Sequence, residues 1–256
     1  MGSGSISIRH ALVTGGGSGI GRAIALALAG EGITVTISGR KPEPLKKVAA
    51  ESPLIHGVTA DVTEEGSMLA LYAQAQAARG PFDIVVANAG VGESAPAHRT
   101  SLDLWQRTVD TNLTGAFLTV KPAIEQMKQA RAGRIVFIAS IAGLKGAPYV
   151  SAYVAAKHGV IGLTRALAAE LAKSGVTVNA VCPGYVETPM LERTLANIMA
   201  KTGRSEAETR AELAGDNPQG RIIEVDEVAG AVMWLVSDAA RSVNGQAIAI
   251  SGGETW

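Results

Sequence analysis

Apolar residues along the chain fall into two alternating patterns. Short unbroken runs of strand length occupy residues 11–13, 33–37, 82–87, 134–139, 176–181 and 246–250, with a weaker one at 53–58. Between them, longer stretches at 20–29, 68–78, 116–127, 152–171 and 225–235 repeat their apolar positions at helical spacing. Continuously apolar strands are covered on both faces, and the intervening helices supply that cover, so the order predicts a parallel sheet. Right-handed crossovers turn it into an α/β fold, a Rossmann-type doubly wound sheet of about seven strands. No Pro/Ser/Gly-rich linker and no fixed-period repeat divides the chain. Residues 9–256 therefore read as one domain behind a flexible tail, residues 1–8.

One segment, residues 188–221, departs from the alternation. Leu191, Leu195, Ile198 and Met199 share a helical face, and Ser205 with Glu208 makes a capping-box pattern that starts a second helix ending near Gly215. An excursion of that length in a compact fold is expected to be a lid or a pocket wall.

Composition narrows the function. The 256 residues are 47% hydrophobic and 18% charged, which is too apolar for a disordered chain. Lys plus Arg (23) equal Asp plus Glu (23), with no long run of either sign, so no basic face offers itself to nucleic acid. The single cysteine, Cys182, excludes an intramolecular disulfide framework, and with four scattered histidines it argues against a metal centre. The apolar runs fall short of the ~18 residues a membrane helix needs. The expected setting is cytoplasmic, without nucleic-acid or membrane partners.

The first strand runs directly into Thr14-Gly15-Gly16-Gly17-Ser18-Gly19-Ile20-Gly21, which opens a helix. Glycines at such a turn let the backbone approach a pyrophosphate, and the helix N-terminus offers free N–H groups to it. The strand–turn–helix context makes this a dinucleotide loop formed by Gly15, Gly17, Ser18, Gly19, Ile20 and Gly21. NAD sites usually carry an acid at the end of the second strand for the adenosine ribose. Here that strand ends Ser38-Gly39-Arg40-Lys41. Arg40 can pair with a 2′-phosphate and no carboxylate repels one, so NADP(H) is favoured, with NAD(H) as the alternative.

These features, with Asn88-Ala89-Gly90, Asn112, Ser140, Tyr153-x-x-x-Lys157 and Pro183-Gly184, occur in the order and spacing of the short-chain dehydrogenases/reductases. The chain resembles the subgroup of about 250 residues over nearly its whole length. Four apart on a predicted helix, Tyr153 and Lys157 project from one face. The ammonium is expected to lower the phenol pKa, making Tyr153 the acid/base. Ser140, at the carboxyl end of a parallel strand, faces the crevice and binds the substrate oxygen. The resemblance implies that Lys157 also holds the nicotinamide ribose and that Asn112 holds a water completing a proton relay. By the same resemblance Asp61 and Val62 meet the adenine, Asn88, Ala89 and Gly90 line the adenosine ribose, and Pro183, Gly184, Val186 and Thr188 cover the nicotinamide.

The reaction so implied is hydride transfer between a ketone, or a 3-oxoacyl thioester, and a secondary alcohol. Ser140, Tyr153 and Tyr185 would touch the substrate, with residues 91–98 and 141–149 and the lid as walls. His98 and Lys145 are candidate substrate contacts, Lys145 toward a carboxylate or phosphate. The resemblance also implies a homotetramer, with Trp256 a candidate interface residue. Two rival readings stay open: a dinucleotide-sensing protein without turnover, and an NAD-preferring alcohol dehydrogenase.

Overall fold

A computed structural model describes residues 9–255, so the tail at 1–8 and Trp256 lie outside the described residues. The strands are β1 (His10–Thr14), β2 (Thr34–Gly39), β3 (Ile55–Thr59), β4 (Ile84–Ala87), β5 (Gly133–Ile138), β6 (Val176–Pro183) and β7 (Ala247–Ile250). They form one sheet in the order β3-β2-β1-β4-β5-β6-β7, with every neighbouring pair parallel. The helices are α1 (Gly19–Gly30), α2 (Pro42–Ala49), α3 (Glu65–Arg79), α4 (Leu102–Val109), α5 (Gly115–Ala130), α6 (Ser151–Leu171), α7 (Pro189–Thr202), α8 (Glu206–Gly215) and α9 (Val225–Val236). The expected fold class is present.

The strand runs read as unbroken because each strand feeds two cores. Leu12 of β1 and Val85 of β4 pack with Met68, Leu71, Val120 and Val160, from α3, α5 and α6. Their neighbours Ala11, Val13, Ile84 and Val86 point the other way, onto Ile24, Leu28, Val228 and Val232 of α1 and α9. At the amino edge of the sheet His10 is fully buried, its ring nitrogens 2.8 Å from the Gly80 carbonyl and 2.9 Å from Thr36 Oγ1. Burial holds that imidazole below the usual histidine range.

β1 lies between β2 and β4, so successive crossovers leave it in opposite directions. Ligands of such sheets bind outside the carboxyl ends at this switch point. The Thr14 hydroxyl spans it, accepting from the backbone N–H of Asn88 (3.1 Å) and of Ala89 (3.2 Å). The segment 188–221 forms two helices, α7 and α8, over a small core of Leu191, Leu195 and Leu213. Ser205 and Glu208 close the expected capping box, and α8 ends at Gly215 as the sequence indicates. Among the described residues no helix is long and apolar enough to cross a membrane.

Candidate active site

The glycine loop turns where only glycine fits. Gly15 and Gly19 have φ of +66° and +51°, and a Cβ on Gly21 would stand 2.4 Å from the Gly15 carbonyl oxygen. Ser18 caps α1 with its backbone and makes no side-chain capping bond, so the first turn keeps free N–H groups. Gly19 faces Thr188, whose Cγ2 is 3.1 Å from a Cβ built there, so the base of the lid sits over the loop. Thr188 itself caps α7, accepting from the Leu191 N–H at 3.3 Å.

Beside the loop is a cleft of about 160 Å³ lined by Gly15, Gly39, Arg40, Ala60, Asp61, Val62, Ala89, Gly90, Val91 and Thr111. Arg40, Asp61, Val62, Ala89 and Gly90 therefore meet where the sequence places them. Val91, expected as a substrate wall, lines this cleft as well, while Gly39, Ala60 and Thr111 were missed; they directly adjoin predicted residues, and adjacency was the available signal. The cradle fits a dinucleotide: backbone donors at a helix start, a glycine floor that any Cβ would fill, and a guanidinium at the adenosine end. Asp61 also keeps a local duty, accepting from the N–H (3.0 Å) and hydroxyl (2.8 Å) of Thr63.

Asn88 stands against the glycine loop, where its Nδ2 donates to the Thr14 carbonyl at 2.9 Å. It fixes the loop that others of the motif use. Asn112 behaves similarly. It lies in a wide π-type turn, Asp110–Thr114, between α4 and α5. Its buried Nδ2 donates to the Val91 and Thr108 carbonyls, both at 2.9 Å, while Oδ1 accepts from the Val91 N–H at 3.3 Å. The turn brings Asn112 to Gly90: a Cβ there would stand 2.8 Å from Asn112 Oδ1 and 3.9 Å from Lys157 Nζ.

Ser140, Tyr153 and Lys157 converge at the carboxyl end of β5. Ser140 Oγ lies 3.5 Å from the Pro183 carbonyl oxygen and accepts from the Ala142 N–H at 3.1 Å. Lys157 Nζ donates to the Ile138 carbonyl at 2.9 Å and stands 5.6 Å from the centre of the Tyr153 ring. Tyr185 follows Gly184 at the same rim, partly exposed, while Val186 is buried in a bridge to Ile223.

Burial sets the electrostatics of the pair. Burial pushes the Tyr153 phenol up, opposed by the Ser140 hydroxyl and reinforced by Tyr185 and Cys182. Burial also brings Lys157 down to about 8, which leaves the ammonium mostly charged at neutral pH. The Cys182 thiol is likewise pushed up to about 11 and is chemically quiet.

A lysine depressed on folding costs stability while it is charged. The full cost applies below pH 8, shrinks between about 8 and 10.5, and is gone above. Lys157→Met removes that cost and forfeits the bond to Ile138. The variant is expected to gain about 1–2 kcal/mol at pH 7, or about 2–6 °C in thermal midpoint, a gain that fades as pH approaches 10.5. Thermal unfolding at both pH values checks it; an equal or lower midpoint at pH 7 refutes it.

His98, on a short 3₁₀ turn (Ala97–Arg99), is exposed. Lys145, the other candidate, pairs with Glu254, its Nζ 2.8 Å from Oε1.

Comparison with known proteins agrees with this geometry. A family profile described as short chain dehydrogenase matches residues 9–198. The chain is 42% identical to cis-4-hydroxycyclohexanecarboxylate dehydrogenase of Sinomonas cyclohexanicum, covering 96% of each chain. It is 37% identical to D-beta-hydroxybutyrate dehydrogenase of Rhizobium meliloti (strain 1021), over 96% of this chain and 98% of that one. The solved structure of a point variant of actinorhodin polyketide ketoreductase with NADPH superposes with a TM-score of 0.94 at 38% identity, covering 97% of both chains. The glycine loop, the cleft beside it and the Ser140–Tyr153–Lys157 group thus belong to an enzyme: the chain is a member of the short-chain dehydrogenase family, a nicotinamide-dependent oxidoreductase of secondary alcohols and ketones.

Proposed function

We propose that this enzyme is an NADP(H)-preferring reductase of ketones or 3-oxoacyl thioesters, with Tyr153 as its acid/base. The observation that carries the cofactor preference is Arg40 in the adenosine cleft, with no acid at the end of β2. A bound nicotinamide supplies the hydride to the carbonyl carbon. Ser140 holds the substrate oxygen, and the buried, protonated Tyr153 gives that oxygen its proton. A phenol held neutral by burial is ready to donate a proton to that oxygen. Lys157 holds the nicotinamide ribose and returns a proton toward Tyr153, while Asn112 fixes the Gly90–Val91 loop beside it. Pro183, Gly184, Val186 and Thr188 close over the nicotinamide, and Tyr185 walls the substrate.

The whole chain acts as one catalytic domain with the lid at about residues 188–221, and the protein assembles as a homotetramer. Exposed Leu102, Trp105 and Phe117 on α4 and α5 support a subunit contact there. The test is dinucleotide oxidation, followed by absorbance, over 3-oxoacyl thioesters, cyclic ketones and small diketones. Turnover of one class with NADPH well above NADH is expected. Equal rates with the two cofactors remove the preference, and tight NADPH binding with no turnover replaces the enzyme by a sensor.

A further inference from the structure

Residues 188–221 follow the carboxyl end of β6, and one side chain ties their parts together. Arg210 lies on α8, and each nitrogen of its guanidinium meets a different carboxylate. Nε donates to Glu206 Oε1 at 3.0 Å, one turn back on the same helix. Nη2 donates to Glu192 Oε1, in the first turn of α7. Nη1 donates to Glu187 Oε1 at 2.7 Å, on the link between β6 and α7. Among the described residues no other ion pair joins α8 to α7 or to that link.

The contact with Glu187 bears on the dinucleotide loop. The Glu187 N–H donates to the Ile223 carbonyl at 2.9 Å, so its backbone and its carboxylate are both pinned. The next residue, Thr188, caps α7 and packs its Cγ2 3.1 Å from the place of a Cβ on Gly19. Arg210 thus reaches, through one peptide unit, the residue that covers the glycine loop. The Arg210 and Glu187 side chains are only 31% and 33% exposed, so water screens this arm less than an ordinary surface pair. None of the three carboxylates has a second cation within ion-pair distance among the described residues. Taking the guanidinium away leaves three like charges facing one another, which pushes α8 off α7 and off the link.

We propose that Arg210 is a positioning residue: by clamping Glu187 and Glu192 to α8, it holds Thr188 over the glycine loop and slows release of the bound dinucleotide. The inference rests on the dinucleotide reading of that loop, and holds for either dinucleotide and any substrate. A single exposed ion pair contributes little, but here one cation serves two contacts that cross between elements. Two such contacts amount to about threefold to twentyfold in the balance between a seated and a lifted segment. The Glu206 contact stays within α8 and orients the guanidinium for the other two.

The test is the rate at which the reduced dinucleotide leaves, followed by stopped-flow fluorescence during a chase with excess oxidised form. It uses whichever of NADPH and NADH binds more tightly. Arg210→Met is expected to release the dinucleotide about threefold to twentyfold faster, and Glu187→Gln about twofold to fivefold faster. Arg210→Lys, which keeps the charge without the three-way fork, is expected to fall between wild type and Arg210→Met. Arg204→Met removes the Arg204–Glu212 pair, which does not reach α7 or the link, and is expected to stay within about 1.5-fold of wild type. In about 1 M KCl the ratio of Arg210→Met to wild type is expected to shrink below about twofold, because salt screens both the clamp and the repulsion. Without dinucleotide, amide hydrogen exchange across residues 188–215 is expected to quicken in Arg210→Met while exchange in the sheet is unchanged. Release rates for Arg210→Met and wild type within about 1.5-fold of each other overturn the proposal. An acceleration that Arg204→Met reproduces, or that persists undiminished in high salt, overturns it as well. Binding of neither dinucleotide by the wild type removes the cofactor reading and, with it, this role for Arg210.

Discussion

Tyr153→Phe is expected to lower kcat for ketone reduction by about 10³–10⁴-fold while leaving the NADPH dissociation constant within about threefold. The side chain lies at the carboxyl end of β5 with Ser140 and Lys157, and the change removes one oxygen and no packing surface. Losing the proton donor leaves the developing alkoxide without a positioned acid. The loss belongs in kcat, because the interaction strengthens only as charge develops on the substrate oxygen. Steady-state rates with the best ketone, beside fluorescence titration of NADPH, give the answer. Residual activity above about a tenth of wild type would take the acid/base role from Tyr153.

Arg40→Ala is expected to weaken NADPH binding by about 10–100-fold and NADH binding by less than about twofold. Arg40 lines the cleft beside the glycine loop with Gly39 and Asp61. A guanidinium–phosphate pair is charge-assisted and bidentate, whereas the two hydroxyls of an NADH ribose give it only ordinary hydrogen bonds. Discrimination should also shrink in high salt, since the cleft is open to solvent. Titration of both dinucleotides against wild type and variant measures it. Equal losses for the two would show that Arg40 does not read the 2′-phosphate.

The sheet was legible because its strands feed both cores and so lose the polar alternation that would have left a face ambiguous. The helices facing those cores followed from period alone. Two helices did not. α2 begins with Pro42, carries Pro44 and two lysines, and buries only Leu45 and Val48. α4 buries only Thr108, its one local sign being Ser101 capping the Leu104 N–H. Each is only eight residues long, barely two turns, so its apolar spacing has no room to repeat.

Within the site, what spacing can carry was legible: the glycine turn, the i,i+4 pair, and Arg40 at a strand end. Asn88 and Asn112 were found but their partners were not. The Thr14 carbonyl and the Val91 backbone are distant in sequence and are main-chain groups without a residue signature. The raised Tyr153 phenol and depressed Lys157 reflect burial, which a motif does not state. The Glu254–Lys145 pair depends on the path of the chain after β7, and no local pattern encodes it.

The hydroxyl of Thr14 has a mechanical consequence. It ties the two halves of the sheet together at their switch point, with Asn88 bonded back to the Thr14 carbonyl. The half that faces adenosine and the half that holds Ser140, Tyr153 and Lys157 are thereby kept at a fixed gauge, like rails on a sleeper. A frame of that kind has no hinge, and a dinucleotide must match its span as built. Movement is left to the flap, where Asn197 Nδ2 reaches Ser94 Oγ at 3.0 Å and Met190 Sδ lies 3.6 Å from the place of a Cβ on Gly92. Opening of α7 and α8 is therefore expected to part these two contacts while the sheet keeps its spacing.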